Sequence, residues 1–327
     1  MRDEWAEAFG ERARAYWTAE RTAELVRGKR LVVLPAEAPE LLRALGILNR
    51  DATMPPAARR KFFQINHMVG MLRPSLRELA AARAGAAERA PVRIVDAACG
   101  RSYLTLLVAW TLANKHGLPV EVLGVDRNAD VIGESERRTA AAGLSGSVRH
   151  LASPLSSLDV RASFDAAFPA SRGAPIDALI ALHACDTATD DALVLGVELE
   201  AALIAAAPCC QAELAARWAA LAGAAEAGEA GDPGSPDAFA PVRRTPHLRR
   251  EVAALVTDTM RQLLLRAAGY ETWALEMVPT EHTPKNLLLR AMNRRAPDAA
   301  ARAEYEALRA ATGGVGIGLA ERLRPRS

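Results

Sequence analysis

The residues able to do chemistry in this sequence gather where apolar runs stop. The run containing Val92, Ile94 and Val95 ends in Asp96. The tiny residues Ala97, Ala98, Cys99, Gly100 and Ser102 follow, before a helical pattern resumes with Leu104, Leu107, Val108, Thr111 and Leu112. A buried strand, a turn of small residues and a helix let a backbone approach a nucleotide-like ligand, with helix N–H groups aimed at it. A second run, Val120 to Val125, also ends in an acid, Asp126. A carboxylate there can accept both hydroxyls of a ribose, because it has two oxygens and nothing to donate. Only Gly100 of the turn is a glycine. Ala98 and Ser102 stand where a Gly-x-Gly-x-x-Gly turn would have others, small enough for close approach but less free at positive φ. An ordinary strand-to-helix turn is the plain alternative.

Further chemical groups fall at later strand ends. His183 closes a fourth apolar run, 176–182, with Cys185 and Asp186 just beyond it, and Cys209 and Cys210 follow a fifth, 201–207. His282 and Lys285 lie between the last two runs, 270–278 and 286–292, and Asn286 opens the second. In an open α/β sheet the ligand sits outside the carboxyl ends of the strands, so Cys99, Cys185, Cys209 and Cys210 are all expected on one edge. Three explanations compete for them: a metal site using His183 and the later cysteines, a reactive thiol beside a cationic ligand, or small apolar lining of a tight pocket. Neighbouring cysteines point apart and the spacing is not Cys-x-x-Cys, so the lining explanation is preferred and no metal is expected. His183 is the first candidate base and His282 the second, with Asp186 orienting a histidine or the substrate and Cys185 beside them. Lys285 and Asn286 suit a phosphate or carboxylate.

The elements that must position these groups follow from periodicity. Trp5 to Arg27 reads as one helix, Leu31 to Leu34 as a strand or buried connector, and Pro39 opens another helix. A further helix runs from Ala57 to Leu72, stopped by Pro74, with Phe62, Ile65, Val69 and Leu72 on its apolar face. Lys61, Gln64 and His67 share another face, with Asn66 at its edge, and are the candidate substrate-contacting residues there, joined by Cys209, Cys210 and Asn286. A third strand covers 147–152. The Ala/Gly/Glu/Pro stretch within 222–240 reads as a flexible insertion. His247 to Ala268 is a helix with Val252, Leu255, Val256, Met260, Leu263 and Leu264 inward, and the segment from Gly313 to Ser327 reads as a frayed tail. The fold class expected is α/β, a seven-stranded, mostly parallel Rossmann-like sheet with an antiparallel last strand. It divides into a helical N-terminal domain (1–90), an α/β domain (91–295) and a C-terminal helix and tail (296–327).

Composition narrows the classes. The chain has 327 residues, a net charge of +2 and four cysteines. That size suits one large or two modest domains, and so few cysteines suit reduced thiols rather than a disulfide framework. No run of 18 apolar residues is present and the start lacks a secretory apolar core, so a cytoplasmic protein without a membrane span is expected. The first 90 and last 88 residues each carry about five or six excess positive charges around an acidic centre. Basic flanks suit contact with RNA or an acidic protein, or are simply Arg-rich surface.

A turn of the form Asp-x-x-x-Gly followed by Gly124-Val125-Asp126 is more typical of S-adenosylmethionine (SAM) sites than of dinucleotide sites. Together with Leu182 to Asp190, Ala207 to Gln211 and Thr283 to Asn286, these residues resemble the class I methyltransferase domain shared by bacterial proteins and two eukaryotic groups. Those groups are the GST-C-terminal-domain-containing proteins and the methyltransferase-like proteins labelled as ribosomal RNA adenine dimethylase domain-containing. The resemblance covers roughly Lys61 to Met292. It implies a SAM-dependent transferase releasing S-adenosylhomocysteine (SAH), with Asp96, Gly100 and Asp126 as cofactor residues. Ala98, Cys99, Tyr103, Arg127 and His183 are the further candidates around it. The departures are Ser102 and Asp186, where that group has glycines. Such an enzyme would act on RNA or protein, or on a small molecule. The absence of Asn/Asp-Pro-Pro-Tyr after the fourth strand argues against ordinary exocyclic adenine methylation. A SAM- or metal-binding assembly factor without turnover and a nicotinamide oxidoreductase are the alternatives.

Overall fold

The computed structural model describes residues 2–84, 90–182, 184, 187–208, 210–226, 238–276, 287–292 and 295–323. The chain divides into two compact units, Met1–Asp177 and Ala178–Ser327. The strands run in the order β3-β2-β1-β4-β5-β7-β6 in one seven-stranded sheet, with β1 Val92–Ala97, β2 Val120–Asp126, β3 Val148–Ala152, β4 Ala178–Leu182, β5 Leu203–Ala207, β6 Glu271–Glu276 and β7 Leu287–Met292. Pairs β1–β2, β2–β3 and β4–β5 are parallel, and β7 is antiparallel to both β5 and β6. This is the seven-stranded, mostly parallel sheet with an antiparallel last strand that the run of strands implied. Every residue of β1, β4 and β5 is buried, which is why their sequences are continuous rather than alternating.

In the first unit, helices α1 Arg2–Tyr16, α2 Ala19–Val26, α3 Pro39–Ala44 and α4 Pro56–Ala84 precede the sheet, and α5 Tyr103–His116, α6 Ala129–Ala141 and α7 Val160–Ala167 alternate with its strands. The single helix expected over Trp5–Arg27 is two. Trp17 leaves the helical path to bury its ring and donate Nε1–H to the Ala52 carbonyl at 2.9 Å, and Thr18 restarts the chain by capping the Arg21 N–H. Pro74 does not stop α4, which continues ten residues past it. A proline inside a helix costs about 3 kcal/mol, offset here by burial of Leu72, Leu76 and Leu79 on the face that continues across it.

Leu31 to Leu34 is a connector and not a strand. It is pinned to α4 by Asn66, whose Oδ1 accepts the Val32 and Val33 N–H groups at 3.0 and 2.8 Å, while Nδ2 donates to the carbonyls of Val33 and Phe62. Inside β1, the Arg93 guanidinium is also buried. It pairs with Asp165 at 2.8 Å and Glu121 at 3.5 Å and lies over the Phe164 ring.

In the second unit, α8 Thr187–Glu198, α9 Glu213–Glu226, α10 Ala240–Arg244, α11 Pro246–Ala267, α12 Ala299–Ala311 and α13 Leu319–Arg322 pack around β4 to β7. A buried polar chain ties three segments: Arg261 on α11 bonds Asp190 on α8 at 2.7 Å and Asp258 at 3.0 Å, and Asp258 accepts from Gln211 at 2.8 Å. Ala222–Glu226, expected to open an insertion over 222–240, form the last turn of α9, and α10 starts at Ala240; residues 227–237 lie outside the described residues. Leu255 faces outward with 71% exposure rather than inward; Ala253 and Thr257 take the inner positions instead. The C-terminal segment is not frayed through Leu323. Ile317 and Leu319 are buried, Gly318 N–H bonds Glu213, and Arg322 pairs with Asp191 at 2.5 Å. Among the described residues, no helix is long and apolar enough to cross a membrane.

Removing the Asn66 side chain leaves two buried N–H groups unpaired, each costing roughly 1–3 kcal/mol. Asn66→Ala is therefore expected to lower unfolding free energy in urea by about 3 kcal/mol. A change below about 0.5 kcal/mol would show that the connector is held by packing alone.

Candidate cofactor site

The turn between β1 and α5 carries three left-handed residues in five: Ala98 at φ 58°, Gly100 at φ 52° and Ser102 at φ 56°. Two of them have a Cβ, at a cost of roughly 1–2 kcal/mol each. Unstrained chains do not stack such residues, and they persist only where the surroundings fix them. The fixing bonds are all present. Cys99 N–H extends the ladder to the Val125 carbonyl, and Ser102 N–H closes onto the Cys99 carbonyl. The Gly100 carbonyl accepts Ser135 Oγ–H at 3.0 Å, and the Arg101 carbonyl accepts from Arg138 at 3.1 Å.

Asp126 joins the turn to the end of β2. One carboxylate oxygen accepts the Gly100 N–H at 3.0 Å and the other the Asn128 N–H at 2.9 Å. Each oxygen keeps a lone pair, so the group can still take two hydroxyl donors. Arg127 is exposed beside it, and Asn128 caps α6 by accepting the Asp130 and Val131 N–H groups. The acceptor-only carboxylate and the neighbouring backbone turn fit the ribose of a nucleoside cofactor.

Asp96 is placed differently from a ligand contact. Its carboxyl is 2% exposed and accepts the Thr105 hydroxyl, so it braces the first turn of α5. That turn lacks its usual cap, because Ser102 makes no capping bond. Burial, with the Asp126 charge adding to it, pushes the Asp96 carboxyl up to about 7. Burial and the two carboxylates also raise the Cys99 thiol, which is therefore no thiolate. Cys99 packs against Gly124, where an added Cβ would lie 3.1 Å from its sulfur. For Cys99, lining explains the residue and nucleophilic chemistry does not.

Tyr103, first residue of α5, receives a hydrogen bond from Lys61 of α4, and the Arg138 guanidinium lies 4.6 Å from its ring centre. Lys61 thus reaches the turn, while Gln64 and His67 are exposed on α4. Cys210 lies after β5 in the wall of a cavity of about 700 Å³ within the second unit, with Gln211, Ala215, Leu255 and Asp258 among its neighbours there. His183, Cys185, Asp186, Cys209, His282, Lys285 and Asn286 lie outside the described residues. Sequence reasoning gave no role to Thr105, Ser135 or His150. The signal available for His150 was a polar residue inside a strand; its partner was not visible.

Asp96 yields a prediction with a definite sign. Its carboxyl is protonated in the folded state up to about 7 but ionises near 3.8 in the unfolded chain. The folded form therefore binds more protons between those values, and stability falls as pH rises through that window. Asp96→Asn is expected to be close to wild type at pH about 4 and more stable at pH about 8, on the order of 2–4 kcal/mol by urea titration. Equal stability of the two proteins at both pH values would contradict the burial of this group.

A family model described as a methyltransferase domain matches residues 60–217, from α4 into α9. No curated protein matches the sequence. Among solved structures, the chain is similar to the SAH-bound methyltransferase PaMTH1 of Podospora anserina, at 11% identity and TM-score 0.41 over 85% of this chain and 96% of that one. It is similar to magnesium protoporphyrin IX methyltransferase (ChlM) of Synechocystis PCC 6803 with bound SAH, at 12% identity and TM-score 0.34 over 77% and 91%. A further likeness is to a putative rRNA-methylase of Clostridium thermocellum, at 14% identity and TM-score 0.38 over 68% and 97%. Likenesses this distant say nothing of substrate.

Proposed function

We propose that this chain transfers the methyl group of SAM to an RNA or a protein. The observation that carries the cofactor is the turn after β1, where three residues in five are left-handed and the Asp126 carboxylate accepts the Gly100 N–H. SAM supplies an activated methyl group, so the chain has chiefly to bind and align the two reactants. Asp126, with Arg127 beside it, takes the ribose; Ala98, Cys99 and Gly100 present backbone to the methionine half, and Tyr103 with Lys61 flanks it. Asp96 acts behind them by setting the start of α5.

The acceptor side is read from sequence position. His183, next after β4, removes a proton where the acceptor carries one, with His282 as second candidate, Asp186 orienting a histidine or the acceptor, and Cys185 beside them in sequence. Lys285 and Asn286 suit phosphate or carboxylate. Gln64, His67, Cys209 and Cys210 complete the acceptor contacts, as does Lys61 where it extends beyond Tyr103. The basic flanks support a macromolecular acceptor.

Two measurements test this reading. Asp126→Ala is expected to abolish SAM binding in calorimetry, and unchanged affinity would contradict the ribose assignment. With methyl-labelled SAM and an extract of source cells lacking the gene, label is expected in the large fraction, released by ribonuclease or by protease. Label confined to small molecules would replace the macromolecular acceptor with one of the size that a cavity of about 700 Å³ accepts.

A further inference from the structure

We propose that His150 is a positioning residue for the cofactor turn, holding Ser102 in the left-handed conformation that a glycine would adopt unaided. The inference rests on the SAM reading of that turn. Ser102 has φ 56° and ψ 31°, is fully buried, and makes no capping bond to α5. A serine at a helix start ordinarily turns its hydroxyl onto the N–H groups of the first turn. Here the Asp96 carboxyl bonds Thr105 in that turn, and the Ser102 hydroxyl points elsewhere. It lies 2.9 Å from His150 Nε2.

The strand register brings the imidazole there. Asp96 of β1 pairs with Gly124 of β2, and Gly124 pairs with His150 of β3, so the three form one row across the sheet. A Cβ at Gly124 would stand 2.9 Å from the His150 ring, closer than a carbon atom can sit. The missing side chain of Gly124 therefore makes room for the histidine beside the turn. Burial holds the His150 ring well below its usual range, at about 4, so it is neutral near pH 7 and pairs with a hydroxyl in either tautomer.

A left-handed serine is strained, and one hydrogen bond of this kind offsets a cost of that size. The dependence runs through Ser102 alone. Loss of His150 should matter where residue 102 is serine and should not where it is glycine, which reaches φ > 0 freely. A histidine that merely filled space beside Gly124 would be missed equally in both backgrounds.

The test is calorimetry of SAH binding to the full chain in a double-mutant cycle. His150→Leu is expected to weaken SAH about tenfold, and His150→Gln, whose amide can still reach the hydroxyl, by less than about threefold. In a Ser102→Gly background, measured against Ser102→Gly itself, His150→Leu should change affinity by less than about twofold. That rescue also excludes unfolding as the cause of the single-mutant loss. Equal losses in the two backgrounds, or no loss in the first, overturn the inference while leaving the cofactor reading intact. Wild-type protein that binds no SAH overturns the cofactor reading, and the inference with it.

Discussion

The carboxylate of Asp126 is the constraint on which the site depends. It stands at the end of β2, yet it fixes the backbone of the neighbouring crossover by accepting the Gly100 N–H at 3.0 Å, and the start of α6 by accepting the Asn128 N–H. Without it the left-handed Gly100 would have no partner for its N–H, and the turn would be free to relax toward ordinary helix entry. Bonds to an ionised acceptor are the stronger kind, so this side chain is a firm anchor for the middle of the Ala98–Ser102 turn. The same group still has lone pairs to offer, which lets it serve structure and ligand at once.

Around that carboxylate the first unit reads as layers of support. The row Asp96, Gly124 and His150 lies across three strands, and each member does a different job: brace, space and tether. Ser135 and Arg138 of α6 hold the carbonyls of Gly100 and Arg101 from the other side. Lys61 and Arg138 both contact Tyr103 at the start of α5. Net contributions near 1 kcal/mol per hydrogen bond are enough, taken together, to keep two left-handed residues with side chains in a strained conformation. Such strain is a common mark of a binding site.

Much of this was legible in the sequence because its signals are local. Apolar runs ending in Asp96 and Asp126, small residues before a helix, and two closing strands of the right length announce the sheet. Cys99 and Cys210 do follow β1 and β5, as that pattern implied. What was not legible depends on partners far away in the chain. Asn66 reads as the margin of a polar face until Val32 and Val33 are seen to need its amide. Pro74 reads as a stop until the buried face beyond it is found to continue. Asp96 reads as a ligand contact, but its burial and its bond to Thr105 follow from packing that no spacing rule reports. His150 has meaning only once register places it beside Gly124.

Hydrogen–deuterium exchange of the full chain with and without SAH tests the central claim most directly, since it locates binding along the backbone without altering any residue. Protection is predicted to concentrate in peptides spanning Ala98–Ser102 and Asp126–Asn128, which contain the Gly100 and Asn128 N–H groups held by the Asp126 carboxylate. Saturating SAH that leaves both segments unchanged, or protects the chain only elsewhere, would contradict the placement of the cofactor in this turn.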